Sequence, residues 1–537
     1  MLTLLAGVLV ALWITRSYLF APARRGLPPG PRKFPVIGNL LSFPRSRPHL
    51  QFTKWAREYG SIFSLKIMKL NIIVLSSPSI IREVIDKRGA SSANRPESVI
   101  ADIIAPNSMN IGAATYPNDT WKTMRRAAVA MLSAKNIEKF KPVQRAEAAQ
   151  LMWDMLRNPE NFYDDICRYT TSVFLAIIYG HRAPQASTQE AEMFTKVQMD
   201  FMQIVEMGKS PPVDIFPILR LVPPRFAPWK SKALDIRSRH ESLFGHLLSL
   251  VKNRVSSGQE NGAFMEEAYL RQMEWGLSDT MLLNLGGTLL EGSDTSSAIL
   301  QTIVMLLAAY PEAQTKAQEE IDSKVGDQNP PTWTDLQGLH YMNAFIEESI
   351  RFRPVDPLGI PHSMSNDEWV GDTLIPMGSI IFMNIWAVYH DEHYFAEPEK
   401  FQPERFLTHP LGIRPDIEDD PGRRENLIFG GGRRICPGTA LAKAGIAINV
   451  AHFLWAFNFT PAKDPITGGS CPPDLWAFTE GVNATPLPFR CTIRPRSTEK
   501  AEIIRRHYVD QASVLEPFEQ DISAQDRAFI ASTRTRS

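Results

Sequence analysis

Cys436 stands in the run Phe429-Gly-Gly-Gly-Arg-Arg-Ile-Cys-Pro-Gly438, a setting awkward for ordinary packing. The three consecutive glycines at 430–432 allow tight turns and close backbone approach that a side chain would block. Pro437 suits the first position of a helix, and the apolar run 439–457 reads as a buried helix. Cys436 is therefore expected at a helix N-terminus, where N–H groups and the macrodipole favour a thiolate. A soft anion presented to a flat cofactor is one use for such a loop. A free cysteine buried in a glycine-rich turn is the other.

A second candidate is Glu291-Gly-Ser-Asp-Thr-Ser296, a polar cluster inside the otherwise apolar stretch 278–309. That stretch reads as one helix, capped by Ser278 or Asp279, closed before Pro311, and about 48 Å long. Buried Asp294 and Thr295 are groups that can hold and pass protons. Equally, Thr and Ser side chains can bond back to the preceding turn and bend the helix. Trp121 and Arg125 lie four apart, so a helix puts them on one face, as a packed pair or as donors to a buried carboxylate. Glu348 and Arg351, three apart, read by themselves as a solvated ion pair.

Phe429, Gly432, Arg434, Cys436 and Gly438 fill the pattern Phe-x-x-Gly-x-Arg-x-Cys-x-Gly, which resembles the haem-thiolate loop of the cytochrome P450 family. The resemblance implies a mainly α fold with small β-sheets and haem b between the long helix and the cysteine loop. It implies Cys436 as the axial iron ligand, Arg434, Trp121 and Arg125 at the haem propionates, and His362 as a further propionate donor. Thr295 would hydrogen-bond dioxygen at the haem and Asp294 would help relay protons. Glu348-x-x-Arg351 and Phe401-Gln-Pro-Glu-Arg-Phe406 resemble the two motifs whose Glu348, Arg351 and Arg405 form a structural charge network. Segments 94–118, 354–361 and 478–484 match the capping loop and two pocket-lining stretches. Glu291 departs from the family's commonest form, which carries Ala or Gly there.

The elements that must position these residues occupy 537 residues with 58 basic and 58 acidic side chains, so no net charge points to nucleic acid. Four cysteines in no regular spacing suggest neither a disulfide framework nor a zinc site. Residues 1–20 are apolar enough for a transmembrane signal anchor, and the basic residues that follow place the body in the cytosol. A basic, proline-rich hinge at 21–36, with Pro28-Pro-Gly-Pro31, resembles the entry of a microsomal member. The haem domain is expected over 37–508 and a loosely ordered tail over 509–537. The runs 62–68 and 71–75 read as a β-hairpin.

By resemblance the chain is an endoplasmic-reticulum monooxygenase that inserts one atom of O2 into an apolar small molecule in fungal secondary metabolism. No strand-Gly-x-Gly-x-x-Gly-helix unit is visible, so electrons are expected from NADPH through a separate diflavin reductase, with cytochrome b5 as a second donor. Desaturation, oxidative coupling or rearrangement at the same haem is one alternative. A haem-binding membrane protein without turnover is another, and NADPH use coupled to product separates them.

Overall fold

The computed structural model describes residues 26–206, 209–464 and 466–534. The expected anchor at 1–20 and the first residues of the hinge lie outside them.

The hairpin forms as expected: β1 (Ile62–Ile67) and β2 (Leu70–Leu75) pair antiparallel with Ile67 opposite Leu70. Met68, at φ 52°, turns the chain between them. Two later strands, β3 (His362–Ser363) and β6 (Ile380–Met383), extend this sheet in the order β1-β2-β6-β3. β6 runs parallel to β2, Ile72 opposite Ile380. Between β3 and β6 lies a separate hairpin of β4 (Glu368–Val370) and β5 (Thr373–Ile375). Near the C-terminus β7 (Phe457–Lys463), β8 (Ser470–Cys471) and β9 (Cys491–Pro495) make a third sheet.

Helices form the rest. The stretch expected to be a capping loop contains one short helix, α1 (Val99–Ile104), which Ser98 caps by accepting from the N–H of Ala101. It is followed by α2 (Asp119–Met131), α3 (Lys141–Arg157), α4 (Phe162–Tyr179), α5 (Gln189–Val205) and α6 (Pro228–Ser257). Where one long helix was expected there are two, α7 (Asp279–Leu290) and α8 (Ser293–Ala309). The side chains supply the reason. Thr295 Oγ1 donates to the carbonyl of Gly292 at 3.2 Å, Ser297 Oγ to that of Asp294 at 2.8 Å, and the N–H of Gly292 bonds three residues back, to Leu289. Glu291 and Gly292 keep right-handed dihedrals, so the chain is loosened for one turn rather than redirected.

Further on come α9 (His340–Phe352) and α10 (Thr439–Ala456). α3, α4, α8 and α10 pack on one another in a closed ring, and this bundle is the core. That explains why α10 is apolar on every side. It is long and apolar enough to cross a bilayer, yet Phe453, Leu454 and Trp455 are fully buried in protein.

The tail expected to be loosely ordered is corrected by the structure: α11 (Thr498–Asp510) leads into short helix α12 (Ala512–Leu515) and α13 (Ala524–Thr533). Three of its acidic residues meet partners earlier in the chain. Glu519 reaches Arg182 at 2.6 Å, Asp521 reaches Arg254 at 2.5 Å, and Asp526 accepts from Gln185 and Thr188. A charged composition looks disordered until those partners, hundreds of residues earlier, are in place.

Candidate active site

The cysteine loop closes on itself where the N–H of Cys436 donates to the carbonyl of Phe429 at 2.9 Å. Gly432 is required: at φ 56° a Cβ would lie 2.3 Å from the carbonyl oxygen of Ile85. Its N–H donates to Asp86 Oδ1 at 2.7 Å, and Arg424 ties Asp86 to the carbonyl of Gly430. The helix that follows starts at Thr439, with Gly438 as its cap, so Pro437 is not its first residue. Cys436 thus precedes the helix instead of opening it. Burial pushes its thiol up, against the Gly438 N–H and the Arg125 guanidinium, which favour the thiolate. The helix-terminus effect expected from the sequence is present but is not the larger one. As a residue Cys436 nonetheless keeps exposed surface, as does its neighbour Ile435.

Around the loop three guanidinium groups converge. Arg434 donates to the carbonyls of Ala93, Ile111 and Ala114 at 2.7, 3.1 and 2.5 Å. Arg125 donates to the carbonyl of Ile435. Arg95, which the sequence reading passed over, donates to the carbonyls of Gly112, Ile360 and Pro361 at 2.8–2.9 Å. Among the described residues no carboxylate pairs with any of the three. Burial and mutual repulsion hold Arg95 and Arg434 down at about 9, and burial lowers Arg125. Buried cations held by neutral carbonyls are an electrostatic deficit, and a ligand bearing two carboxylates beside Cys436 would correct it. The residues present fit haem b.

Trp121 and His362 stand differently from expectation. Trp121 spends its indole N–H on the carbonyl of Ile111 at 3.2 Å, and its ring lies 4.2 Å under the Arg434 guanidinium. It positions Arg434. His362 places Nδ1 2.8 Å from the carbonyl of Ser92, so Nδ1 carries the hydrogen and the neutral ring has no proton on Nε2. Burial, Arg95 and Arg434 all lower its pKa well below the usual value. Nε2 becomes a donor when the ring is protonated, which a carboxylate there would favour.

On the loosened turn between α7 and α8, Gly292 is exposed and Asp294 and Thr295 are partly so, although the helices flanking them are buried. Burial raises Asp294 to about 6, against a hydrogen bond from Gln198 of α5. Glu291 is raised to about 7 by burial, and Asn110 of the capping loop donates to its Oε2 at 2.9 Å. Its carboxylate is therefore turned to that loop.

Glu348, Arg351 and Arg405 do come together. Arg351 holds Glu348 in a fork, Nε–Oε2 2.6 Å and Nη2–Oε1 2.8 Å, with both side chains buried. Arg405 joins more loosely, Nε–Oε1 3.4 Å, and donates to the carbonyl of Glu397. The N–H of Gln402 completes the carboxylate's shell.

A family model described as Cytochrome P450 matches residues 28–469. The chain is 39% identical over 508 residues to a cytochrome P450 monooxygenase of Armillaria gallica, covering 94% of this chain and 96% of that one. It is 34% identical over 498 residues to a cytochrome P450 monooxygenase of Aspergillus niger, covering 90% and 92%. A zebra fish cytochrome P450 structure with progesterone superposes with a TM-score of 0.70 at 26% identity, over 84% of this chain and 99% of that one. Another, with abiraterone, superposes at 0.67 with 24% identity, over 84% and 100%.

Proposed function

The chain belongs to the cytochrome P450 family and is an oxygenase of it, and we propose that it inserts one atom of O2 into an apolar small molecule in fungal secondary-metabolite biosynthesis. The observation that carries the reading is the convergence of buried Arg95 and Arg434 and half-buried Arg125, cations without an acidic partner among the described residues, beside the Cys436 loop. The fungal relatives support the biological setting.

Cys436 would bind the haem iron. Arg95, Arg125 and Arg434 would hold the propionates, with Trp121 bracing Arg434, His362 adding a donor once protonated, and Phe429, Gly432 and Gly438 shaping the loop. The chemistry haem b supplies when bound is activation of O2, one atom entering a C–H or C=C bond and the other leaving as water. Asp294, raised to about 6, exchanges protons near neutral pH, and its contact with buried Gln198 ties it to α5. Thr295 Oγ1, already donating to Gly292, hands protons on at the loosened turn. Glu348, Arg351 and Arg405 brace the fold and take no part in chemistry.

Electrons come from NADPH through a separate reductase, with cytochrome b5 as a second donor. The chain is held at the endoplasmic reticulum by residues 1–20, its catalytic body in the cytosol. Exposed Leu41 (70%), Ile218 (73%) and Leu221 (80%) support membrane contact, since Phe43 and Ile215 from the same two segments pack on one apolar cluster.

Expression with a reductase tests the proposal. The reduced, carbon monoxide-treated protein is expected to show a thiolate-type Soret band, and labelled O2 to leave one labelled atom in product. Cys436→Ala is expected to lose both; a variant that kept the band and turnover would remove the reading.

A further inference from the structure

Residues 110–114 of the capping loop form a small tab closed on itself. Asn110 Oδ1 accepts from the N–H groups of Gly112 and Ala113 at 2.9 and 3.1 Å, and the Asn110 carbonyl accepts from the N–H of Ala114 at 2.9 Å. Three more carbonyls of the tab are held from the arginine cradle. Ile111 accepts from Arg434 at 3.1 Å and from the Trp121 indole at 3.2 Å, Gly112 from Arg95 at 2.9 Å, and Ala114 from Arg434 at 2.5 Å. The tab is thus fixed to the same groups that would hold the propionates. Its remaining donor, Asn110 Nδ2, reaches away from the cradle to Glu291 Oε2 at 2.9 Å.

Glu291 stands where the helical ladder fails. Its own N–H still bonds four residues back, to Gly287 at 3.1 Å, but that of Gly292 reaches only Leu289, and α8 restarts at Ser293. A turn that has given up part of its own ladder is held less by the helix, so a contact from outside decides where it stands. The carbonyl of Gly292, the next residue, takes the Thr295 hydroxyl at 3.2 Å, and Asp294 lies two residues beyond Gly292. Cradle, tab, Glu291 and the Thr295 hydroxyl are therefore joined by successive hydrogen bonds and one step of backbone. The alanine or glycine common at this place in the family has no side-chain acceptor with which to make the link.

We propose that Glu291 is a positioning residue: through Asn110 it locks the turn that bears Asp294 and Thr295 to the arginine cradle, so that the proton-handling groups and the haem they serve share one framework. Glu291 moves no proton in this role. A neutral amide oxygen at 291 accepts from Asn110 as a carboxylate does, whereas a methyl group cannot. Fixing the turn matters because a misplacement of about 1 Å in a reacting group can cost on the order of 100-fold in rate.

The inference rests on the monooxygenase reading, and the two fail separately. Haem-loaded full chain is first checked for the reduced carbon monoxide Soret band, whose absence from the wild type takes both down. With the band present, carbon monoxide serves as the probe: its C–O stretch in the infrared responds to the polar groups beside it. Amide hydrogen exchange is followed in parallel over residues 107–118 and 287–298. Glu291→Ala is expected to broaden or split the stretch and to speed exchange about ten-fold in both segments, as loss of one hydrogen bond between them requires. Glu291→Gln should leave both readouts as in the wild type. Asn110→Asp keeps Oδ1 for Gly112 and Ala113 but sets a second carboxylate against Glu291, so it should behave as Glu291→Ala does. Combining Asn110→Asp with Glu291→Gln reverses the direction of the bond and should restore the wild-type pattern. If Glu291→Ala takes up no haem, the comparison of Asn110→Asp with this double variant decides in its place. The assignment is overturned by a Glu291→Ala protein with unchanged stretch and exchange. It is equally overturned by a Glu291→Gln protein that behaves like Glu291→Ala, since charge and not the contact would then matter, or by a double variant that fails to recover.

Discussion

At the scale of single residues, the site separates groups that hold from groups that move protons. Cys436, Arg434 and Arg95 are fixed by backbone carbonyls and by the loop's own geometry. Asp294 and Thr295 stand on a turn whose hydrogen bonds are already compromised, where a side chain can change partner at small cost. Asp294→Asn keeps the shape and removes the ionisable proton, so NADPH consumption is expected to continue while product falls by about 100-fold. Thr295→Ala should likewise divert reducing equivalents to peroxide. Measuring NADPH, peroxide and product together checks this, and tight coupling in both variants would exclude the relay. Arg95 had a sequence signal that went unused: a lone arginine in the uncharged run Ser-Ser-Ala-Asn-Arg-Pro96.

At the scale of elements, charge pairs decide where helices dock. Glu348 on α9 meets Arg351 one turn on, and Arg405 reaches it from the start of the short helix Arg405–Thr408. Glu348→Ala leaves Arg351 buried without a counter-charge, and denaturant titration of the haem-loaded protein is expected to show a loss of about 3–5 kcal/mol. Arg405→Ala, which removes the looser contact, should cost less than half as much. The C-terminal helices follow the same rule. Truncation after Gln511 strips Arg182 and Arg254 of Glu519 and Asp521, although Arg182 keeps Glu147 at 2.7 Å and Arg254 keeps Glu266 at 3.0 Å. Such a chain is expected to fold with a lowered melting temperature and with faster proteolysis of the exposed α3 and α4 surfaces. An unchanged melting temperature would mean the tail adds no stability.

Over the whole molecule, buried acids of opposite character set the pH response. Burial would raise Glu147, but Arg182 and Arg168 overcome it and hold it at about 2. Its contribution is therefore present above about pH 4.5 and is lost as pH falls toward 2. Asp356 is the reverse case, raised by burial to about 7, so its cost is absent below about pH 4 and grows as pH rises to 7. Asp356→Asn should accordingly become more stable relative to the parent across that window, by up to about 4 kcal/mol at the upper end. Thermal melts of both proteins from pH 4 to 8 would show the difference, and a constant gap would place the carboxyl in an ordinary aqueous environment.

What the chain alone determined was local: a hairpin of two short strands, an apolar helix after Gly438, an arginine three residues after a glutamate, and a cysteine loop whose glycines and arginine identify its family. Each is set by short-range sterics or by a motif carried within a few residues, and each is where it was expected. Tertiary structure decided the rest, because the deciding partner is remote in sequence. The hydroxyls of Thr295 and Ser297 turn back onto the chain where the long helix is interrupted. The acidic tail docks as helices because buried Arg182 and Arg254 each take a second counter-charge from it. Burial outweighs the Gly438 N–H at the Cys436 thiol, and Asp356 Oδ1 finds no partner among the described residues. Desolvation belongs to the assembled molecule, and no spacing of residue types encodes its size.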